Sequence, residues 1–598
     1  MILQALYEHY QRLLDDPDIN IAAPGYSTKD VTHALILDKG GNLVDIMPLN
    51  QTKGKKLVPI EMMVPEQGKH QNGINPFYLS DDASYMLGLC RDKGKNITTS
   101  GKKFEAFRDA NLKLIADCRS DSAVSARRFL QSWQPKSAFE HQIVLKYLDE
   151  LVDGKNLVIR LDGADHFLHE EAEVRWAWES FKSSQSSSSW GQCLITGEKG
   201  PIARLHTAFT GFPGAQSSGT YLVSFNNGAF ESYGKEQSYN SPVSEYAAYA
   251  YGTVLKYFLA GNTNKIRLAD IIVVFWADKP GSHMEEEVFN WSLDPKTFSN
   301  EQDDNDNRIA DQATENQART VLKNLRAGLP VGLSDFDSDT RCFILGLAPN
   351  AARLAVSFWR ISSFGEALQH IAQHYNDMDI VGLDKYGTYI SPYRILKSAA
   401  VKGDIKNIPP LLAGQLLKSI LTGSYYPQTL IHAIMKRCRS GGDHGGLTAI
   451  RAGVIKAYLL RWYRLNKKYD KEALITMALN EQNTNIGYLF GRLFAVLEKA
   501  QKDALGTEIN ATIRDRYFSS ASSTPRAVFP LLLRLSRHHT AKAQYGGYLE
   551  SLIQDILSKI DSFPTHLSFD QQGQFILGYY HQNQSLYTKN DSNSKEEK

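Results

Sequence analysis

The chain has 598 residues, of which 42% are hydrophobic and 22% are charged, and its formal net charge is +2. This length and composition predict a soluble protein of about two to four domains, and no apolar run reaches the roughly 18 residues that a membrane span requires. Nucleic-acid binding stays open, because a basic surface can be contained within a balanced total charge.

The cysteines indicate a reducing compartment. They are scattered along the chain, and no two of them are spaced as CxxC: Cys90, Cys118, Cys193, Cys342 and Cys438. This pattern argues against a zinc ribbon or a disulfide framework, so we expect a cytoplasmic protein. The N-terminal stretch MILQALYEHYQRLL is amphipathic and contains an acidic residue, which predicts a first helix and not a signal peptide.

The N-terminal part of the chain mixes predicted helices and strands. Gly40 and Gly41 stand between two apolar runs, which is typical of a hairpin turn. The predicted elements are, in chain order, the first helix, a hairpin of THALILDK (32–39) and NLVDIMPL (42–49), a lysine-rich loop region (50–103), helices over 104–152 and a strand in KNLVIRLDG (155–163).

The central part of the chain predicts shorter elements. In chain order these are a linker-like SSQSSSS (183–189), short strands in GQCLITG (191–197) and TYLVSFN (220–226), a helix over 243–260 and a buried strand in RLADIIVVFWAD (267–278). Residues 280–315 are acidic, rich in asparagine and poor in pattern, which favours a surface loop or a flexible segment between domains. ARLAVSFWRIS (352–362) predicts the last clear strand.

Beyond about residue 363 the periodicity is helical as far as about residue 560. We therefore predict an α+β fold, in which a mixed α/β N-terminal region is followed by an all-α C-terminal bundle. The predicted domains are an N-terminal α+β region (1–155), a central α/β region with a glycine loop (156–362), a helical region (363–476) and a helical bundle with a disordered tail (477–598).

The C-terminal helices are predicted to be basic. Residues 451–560 contain 17 lysines and arginines and only 9 aspartates and glutamates, with aromatic residues between them. One interpretation is a solvated face over an aromatic core. The other is a groove that follows a phosphate backbone. The arginines that we expect to make such contacts are Arg461, Arg464, Arg514, Arg534 and Arg537.

The sequence offers little sign of catalysis. GxxxxGK[ST], HExxH and GxSxG are all absent, so we expect no catalytic residues, no cofactor and no bound metal. His166 and His169 lie in the acid-rich stretch DGADHFLHEEAE, but one loop rarely supplies a full ligand set. Two alternatives stay open: a metal-dependent nuclease that uses these histidines, and a stand-alone RNA-binding scaffold built from the basic helices.

Several stretches in combination carry a family resemblance. They are HQNGINPFYLSDDASYMLG (70–88), the region from CLITGEKG to SEYAAYAY (193–251), IIVVFWAD (271–278), ARLAVSFWRISSFGEAL (352–368), IPPLLAGQLLKSILTGSYYP (408–427) and IRAGVIKAYLLRW (450–462). In this order they resemble the large subunit of the type I-C CRISPR effector complex, Cascade, of the Csd family. The similarity extends from the first helix to about residue 465 and is weak beyond it.

The resemblance implies a subunit that recognises the protospacer-adjacent motif (PAM) in double-stranded DNA, helps to open the duplex and supports the displaced strand in the R-loop. Guide RNA then reads the sequence by pairing. It implies no cleavage activity, since a separate helicase-nuclease is recruited in this antiviral defence. The implied partners are the backbone and crRNA-handle-binding subunits that carry the crRNA, and a helical small subunit, for which Met477 is a plausible internal start.

The resemblance also suggests which loops face DNA. Amide side chains suit adenine edges, and small-residue loops can approach DNA closely. In KHQNGIN the expected PAM contacts are Lys69, Gln71, Asn72 and Asn75. In GAQSSG they are Gln216, Ser217 and Ser218, with Gln216 as the wedge that replaces a base pair. Lys235 and Asn240 are expected to contact phosphate or the minor groove nearby, and Lys53, Lys55 and Lys56 to contact phosphate. The alternative is that both loops are ordinary turns.

Overall fold

The chain forms two compact units in a computed structural model. Unit 1 comprises Met1–Thr207 and Val223–Tyr257, and unit 2 comprises Ala208–Leu222 and Phe258–Lys598. The residues outside the description are 18, 20, 54–55, 69, 71–72, 186–188, 217, 296–311, 410, 441–445, 507–510 and 594–598. The predicted α+β class is confirmed: the sheets lie in the N-terminal half and helices dominate the C-terminal part.

The helices and strands up to residue 260 are, in chain order, α1 (Ile2–Asp15), β1 (Tyr26–Leu37), β2 (Leu43–Pro48), β3 (Asn50–Lys53), β4 (Lys56–Pro65), α2 (Ala83–Met86), β5 (Leu89–Arg91), β6 (Ile97–Thr99), α3 (Gly101–Leu114), α4 (Asp121–Ser132), α5 (Gln142–Lys146), α6 (Leu148–Asp153), β7 (Asn156–Leu161), α7 (Ala172–Ser184), β8 (Trp190–Gln192), β9 (Lys199–Pro201), β10 (Ala208–Phe209), β11 (Thr220–Tyr221) and α8 (Glu245–Ala260).

The remaining elements are β12 (Lys265–Leu268), β13 (Ile271–Ala277), α9 (His283–Leu293), α10 (Gln312–Arg326), β14 (Arg341–Asn350), β15 (Arg353–Ser363), α11 (Phe364–Met378), α12 (Pro392–Ala399), α13 (Leu412–Thr422), α14 (Gln428–Arg439), α15 (Ala449–Leu465), α16 (Tyr469–Ala473), α17 (Ile486–Leu505), α18 (Ile513–Ala521), α19 (Pro525–Thr540), α20 (Gly546–Ser558) and α21 (Phe569–Asn593). Within the described part of the chain, no helix is both long and apolar enough to cross a membrane.

The main sheet of unit 1 is organised around β1. The first half of β1 pairs antiparallel with β4, and its second half pairs antiparallel with β2 and parallel with β7. Leu35 and Leu37 belong to one buried cluster, while Ala34 and Ile36 belong to another. Since side chains alternate along a strand, both faces of the sheet are covered here. The predicted hairpin and the predicted strand in 155–163 are confirmed.

Unit 2 contains a six-stranded sheet in the order β10-β11-β15-β14-β13-β12. Every residue of β13 is buried, as the continuous apolar run predicts for a strand covered on both faces. On one face, the ring of Trp276 lies 5.4 Å from that of Phe343 and 5.7 Å from that of Trp359. The strands predicted in 267–278 and 352–362 are confirmed, although Ala269 starts a turn that divides the first of them into β12 and β13.

Three predictions from local pattern are wrong. TYLVSFN forms a strand only over Thr220–Tyr221, and GQCLITG contributes only its first residues to β8. Within 280–315, α9 replaces the predicted loop and buries Phe289 and Trp291, while residues 296–311 lie outside the description. The acidic residues of this helix suggested an exposed loop. Glu286 is nevertheless buried, and it accepts a hydrogen bond from the N–H of Ala277 at 2.8 Å, which satisfies its carboxylate in the core.

The C-terminal region is helical, as predicted, but the last helix extends to Asn593, so the prediction of a disordered tail in DSNSKEEK (591–598) is wrong for residues 591–593. Residues 594–598 of the predicted disordered tail lie outside the description. Helix α15 is buried on nearly all sides, which explains its lack of a polar face. The domain boundaries predicted at residues 155, 362 and 476 stay predictions.

Helices α17 and α21 touch backbone to backbone through glycines. A Cβ atom on Gly491 would lie 2.0 Å from the carbonyl oxygen of Phe575 and 2.7 Å from the nitrogen of Tyr579. Neither of these atoms belongs to a flexible side chain, so the two helices would have to separate. Close backbone contact of this kind is possible only where a side chain is absent.

Gly491→Ala should therefore lower stability by about 2 kcal/mol or more, since overpacking outweighs the gain in helix propensity. The control is Gly573→Ala within α21, where the nearest atom to a new Cβ is a side-chain carbon of Ile455 at 3.5 Å. The thermal unfolding midpoints of the two variants and the parent provide the comparison. Equal midpoints for both variants would contradict the role assigned to this contact.

Candidate nucleic-acid interface

The end of the KHQNGIN segment is fixed to unit 1 by His70. Its Nε2 atom lies 2.9 Å from Oδ1 of Asp81, its Nδ1 atom lies 3.0 Å from the carbonyl oxygen of Asn75, and its ring stacks on Phe77 and Tyr85. The side chain of Asp81 is 1% exposed. Burial raises the pKa of the Asp81 carboxyl to about 6, although a hydrogen bond from the N–H of Phe77 opposes the shift.

Among the described residues, His70, Asp81 and Asp82 are the group whose ligand atoms lie close enough to hold a metal ion, within 4.8 Å of one another. The same side chains already make hydrogen bonds within the segment. Oδ1 of Asp81 lies 2.9 Å from Nε2 of His70 and accepts from the N–H of Asp82, and Asp82 accepts from the N–H of Ser84. These hydrogen bonds give the cluster a structural role, which is to anchor the segment from residue 70 to residue 82.

Within KHQNGIN, Lys69, Gln71 and Asn72 lie outside the described residues. Asn75 is exposed, and its backbone N–H donates to the hydroxyl of Tyr85 at 3.2 Å. This contact fixes the main chain and leaves the amide side chain at the surface. Asn75 is thus the member of the predicted group that the structure places on an anchored, solvent-facing turn.

The glycine loop of unit 2 connects β10 to β11. Gly211, Gly214 and Gly219 all have positive φ, and a Cβ on Gly214 would meet no atom within 4 Å. The carbonyl of Gln216 accepts from the N–H of Gly219 at 3.0 Å, while its side chain is exposed. Ser218 is also exposed, and Ser217 lies outside the description. The loop is therefore open at its tip, with Gln216 held by its backbone.

The support for this loop differs from the prediction. TYLVSFN was expected to form a short strand over residues 220–226, but only Thr220–Tyr221 do so, and β11 pairs with β15 only at Tyr221, opposite Arg353. Instead, the loop is secured at its base. Thr220 donates through its hydroxyl to the carbonyl of Phe209 at 3.2 Å, and Phe212 is buried.

Lys235 and Asn240 lie in unit 1, in the loop of residues 227–240. The side chain of Lys235 is exposed. The amide of Asn240 is occupied: Oδ1 accepts from the N–H of Ser232, and Nδ2 donates to the carbonyls of Lys235 and Gln237. Asn240 therefore holds the loop in shape, and its amide donors are not available to DNA in this conformation.

Two of the predicted phosphate contacts, the buried Arg461 and the half-buried Arg464, are engaged by a buried carboxylate. Arg461 is 2% exposed, and its guanidinium donates to the carbonyl of Ser419 at 2.8 Å and lies 3.7 Å from the carboxylate of Asp377. Arg464 binds Asp377 through both terminal nitrogens, at 2.9 and 3.1 Å, and binds Glu472 at 2.8 Å. Both arginines neutralise a buried carboxylate, so the geometry argues against phosphate contacts by them.

Arg514 is half-buried. Its guanidinium stacks on the rings of Phe518 and Tyr579 and donates to the hydroxyl of Tyr579 at 3.2 Å. These contacts join α18 to α21. The guanidinium of Arg514 therefore makes its contacts within the helical bundle.

Arg534 and Arg537 lie on the exposed side of α19 together with Arg526. At about 3.6 residues per turn, these three arginines share one face of the helix, opposite the buried Val528 and Leu532. Within the described part of the chain, their guanidinium groups have no ion-pair partner. We call this surface the α19 face. The sequence supports its charge, since no aspartate or glutamate occurs between Asp515 and Glu550.

The remaining predicted lysines belong to the β3–β4 hairpin. Lys53 and Lys56 are paired in the register of the two strands, and Lys55 lies outside the described residues. The structure thus places Lys53 and Lys56 opposite each other at the turn of this hairpin.

The two histidines of the nuclease alternative occupy different environments. His166 is exposed and bonded to Asp165 at 2.6 Å and Glu171 at 3.2 Å, and the hydrogen bond to Asp165 raises its pKa. His169 is 2% exposed, and burial lowers its pKa to about 4. They do not belong to one group of three ligands among the described residues.

Sequence reasoning missed Asp377, and it did not single out Arg526 among the basic residues of the helical region. The absence of acidic residues around α19 is a signal that would have identified Arg526. No local sequence signal identifies Asp377, because its role depends on ion pairs with arginines of α15, a helix that is distant in the sequence.

Arg464→Ala should lower stability by about 2 kcal/mol, since it leaves the carboxylate of Asp377 short of a partner in the core. Arg537→Ala should change stability by less than about 0.5 kcal/mol, since its side chain is exposed. Thermal unfolding of the two variants checks the assignment. A larger loss for Arg537→Ala than for Arg464→Ala would show that the buried and surface roles are reversed.

Comparison with known families agrees with the resemblance in the sequence. The family described as CRISPR-associated protein (Cas_Csd1) matches residues 6–587, nearly the whole chain. A comparison with curated proteins finds no match. The match includes the glycine loop, the loop of residues 227–240 and the α19 face. The chain therefore belongs to the CRISPR-associated Csd1 family, the family of the type I-C large subunit.

Proposed function

We propose that the chain is the non-catalytic large subunit of a crRNA-guided type I-C Cascade complex. It recognises the PAM in double-stranded DNA, helps to open the duplex and stabilises the R-loop, to which a separate helicase-nuclease is recruited. Its partners are the subunits that form the backbone and bind the crRNA handle, and a helical small subunit. The observation that carries the proposal is the family match over residues 6–587.

The two amide side chains on anchored loops support the PAM assignment. Asn75 and Gln216 are exposed, while the backbone at each position is fixed by a hydrogen bond. A side chain that reads a base edge must be accessible and must also be held in register by its main chain. Both requirements are met at these two positions.

The α19 face supports contact with a phosphate backbone. Three arginines on one helix face, with no neighbouring acid in the sequence, produce a local positive potential despite the small net charge of the chain. Such contacts carry no sequence information, which suits the support of a displaced strand of any sequence.

The absence of catalysis is part of the proposal and has its own test. His166 and His169 do not share a ligand set in the described structure, so purified protein with Mg²⁺ or Mn²⁺ should leave DNA intact. DNA cutting that is abolished in His166→Ala would favour the nuclease alternative. Guide-independent RNA binding with a steep salt dependence would favour the RNA-binding scaffold.

The helical small subunit is proposed to start at Met477. This residue is 53% exposed in the connection between α16 and α17. A product that begins there contains α17 to α21 complete, including the glycine contact between α17 and α21. It lacks α15, against which α21 is also packed.

PAM reading is tested in the assembled complex with duplexes that contain or lack the PAM. Gln216→Ala combined with Asn75→Ala should weaken binding to the PAM duplex by about tenfold or more, because each good amide contact to a base is worth about 1–3 kcal/mol. Assembly should survive. Gln482→Ala, which changes an exposed glutamine in another loop, is the control.

Two failures are distinguishable. If the parent complex does not discriminate between the duplexes, the proposed function is wrong. If it does, and the double variant binds like the parent, the function stands and the assignment of these two residues is wrong.

The α19 face is tested through salt dependence. Arg534→Gln with Arg537→Gln should weaken binding of the opened duplex at low salt and reduce the slope of log K against log[salt] by about 2, one for each phosphate that the variant no longer neutralises. Arg267→Gln, at an exposed arginine on β12, should leave the slope unchanged. An unchanged slope in the double variant would show that the α19 face does not contact the DNA backbone.

A further inference from the structure

The loop of residues 227–240 presents the ring of Tyr233 almost completely to solvent. Tyr233 is 97% exposed, although exposure of an apolar ring is unfavourable. Ser232 and Lys235 pair across the turn, and the N–H of Lys235 donates to the carbonyl of Ser232 at 3.1 Å. Tyr233 and Gly234 are therefore the central residues of a tight hairpin turn, with the ring at its tip.

The backbone at this tip is strained. The φ angles of Tyr233 and Gly234 are 55° and 68°. Hairpin turns with positive φ at both central positions favour Asn-Gly, and a bulky L-residue at the first of them is disfavoured. Strain of this kind persists only where the surroundings enforce it, and it is concentrated at binding sites.

The surroundings of Tyr233 do enforce the turn. Asn240 accepts from the N–H of Ser232 at 2.9 Å and donates to the carbonyls of Lys235 at 2.7 Å and Gln237 at 2.9 Å. One side chain thus ties both strands of the hairpin to the rest of the loop. Arg204 in turn donates to the side chain of Gln237 at 3.1 Å. The main chain that carries Tyr233 is consequently held by hydrogen bonds on both sides of the turn.

The charges around the ring favour a base over a phosphate as its partner. Lys235 is exposed, but Glu231 and Glu236 are exposed in the same loop and offset its charge. The turn is therefore not a positive patch. What it offers is a flat, accessible ring, and every nucleobase has a π-face that can stack on such a ring.

We infer that Tyr233 stacks on an unpaired base of the target DNA where the duplex opens beside the PAM. The inference rests on the proposed function and adds to it the side chain that holds the opened base. Opening unstacks a base at a cost, and a ring that takes the place of the former neighbour recovers part of that cost.

The test uses the assembled crRNA complex and a PAM-containing duplex with 2-aminopurine at the first displaced position. In the parent and in Tyr233→Phe, stacking should quench the fluorescence. In Tyr233→Ala and Tyr233→Gly the fluorescence should approach that of free single-stranded DNA, and affinity should fall by about tenfold. Since glycine adopts positive φ freely, Tyr233→Gly keeps the turn and separates the removal of stacking from misfolding.

Two further comparisons sharpen the result. The loss of affinity in Tyr233→Ala should be similar at about 50 and about 200 mM salt, because stacking does not release counterions. Trp176→Ala, which removes an aromatic ring that is 70% exposed on α7, should leave both fluorescence and affinity as in the parent.

The outcomes are distinct. Parent-like quenching and affinity in both Tyr233→Ala and Tyr233→Gly overturn the inference and leave the proposed function standing. Failure of these variants to assemble with the other subunits also overturns it, since the ring would then be a protein contact. If the parent complex does not recognise the PAM duplex, the inference fails together with the proposed function.

Discussion

The buried carboxylate of Asp377 determines how the helical region uses its arginines. A charge in the interior must be paired, because its desolvation costs several kcal/mol when it is left alone. Arg464 binds it through two nitrogens and Arg461 lies beside it, which joins α11 to α15. Lys456 donates to the main chain at the same point, and burial lowers its pKa to about 8. These cations stabilise the fold, whereas the arginines of α19 are exposed at the surface.

A similar division applies to the polar loops. The amide of Asn240 bonds to the main chain of its own loop. His70 contacts both Asp81 and the carbonyl of Asn75. These contacts fix the loops to which the residues belong. The residues held by these anchors, Asn75 and Tyr233, keep exposed side chains. Buried polar groups must form hydrogen bonds. In a loop that is rich in amides, some side chains therefore bond within the loop and fix its main chain, while others remain exposed to solvent.

Much of the fold could be predicted from the sequence, because its main elements have strong local patterns. The continuous apolar run of β13 and the hairpin of β1 and β2 are examples. Helix α9 was missed because its acidic residues suggested a loop, whereas Glu286 finds a main-chain donor in the core. The strand expected over residues 220–226 is limited to Thr220–Tyr221, because β11 has only a brief partner in β15.

By itself, the sequence determined the α+β class, the family and the positions of the loops rich in glycine and amides, since these depend on local composition and spacing. Only the tertiary structure decided which charged and polar side chains are exposed. Arg461 and Arg537 look alike in the sequence, yet one lies against Asp377 and Tyr426 and the other faces solvent. The physical reason is that burial and pairing depend on residues far away in the chain, which no local pattern contains.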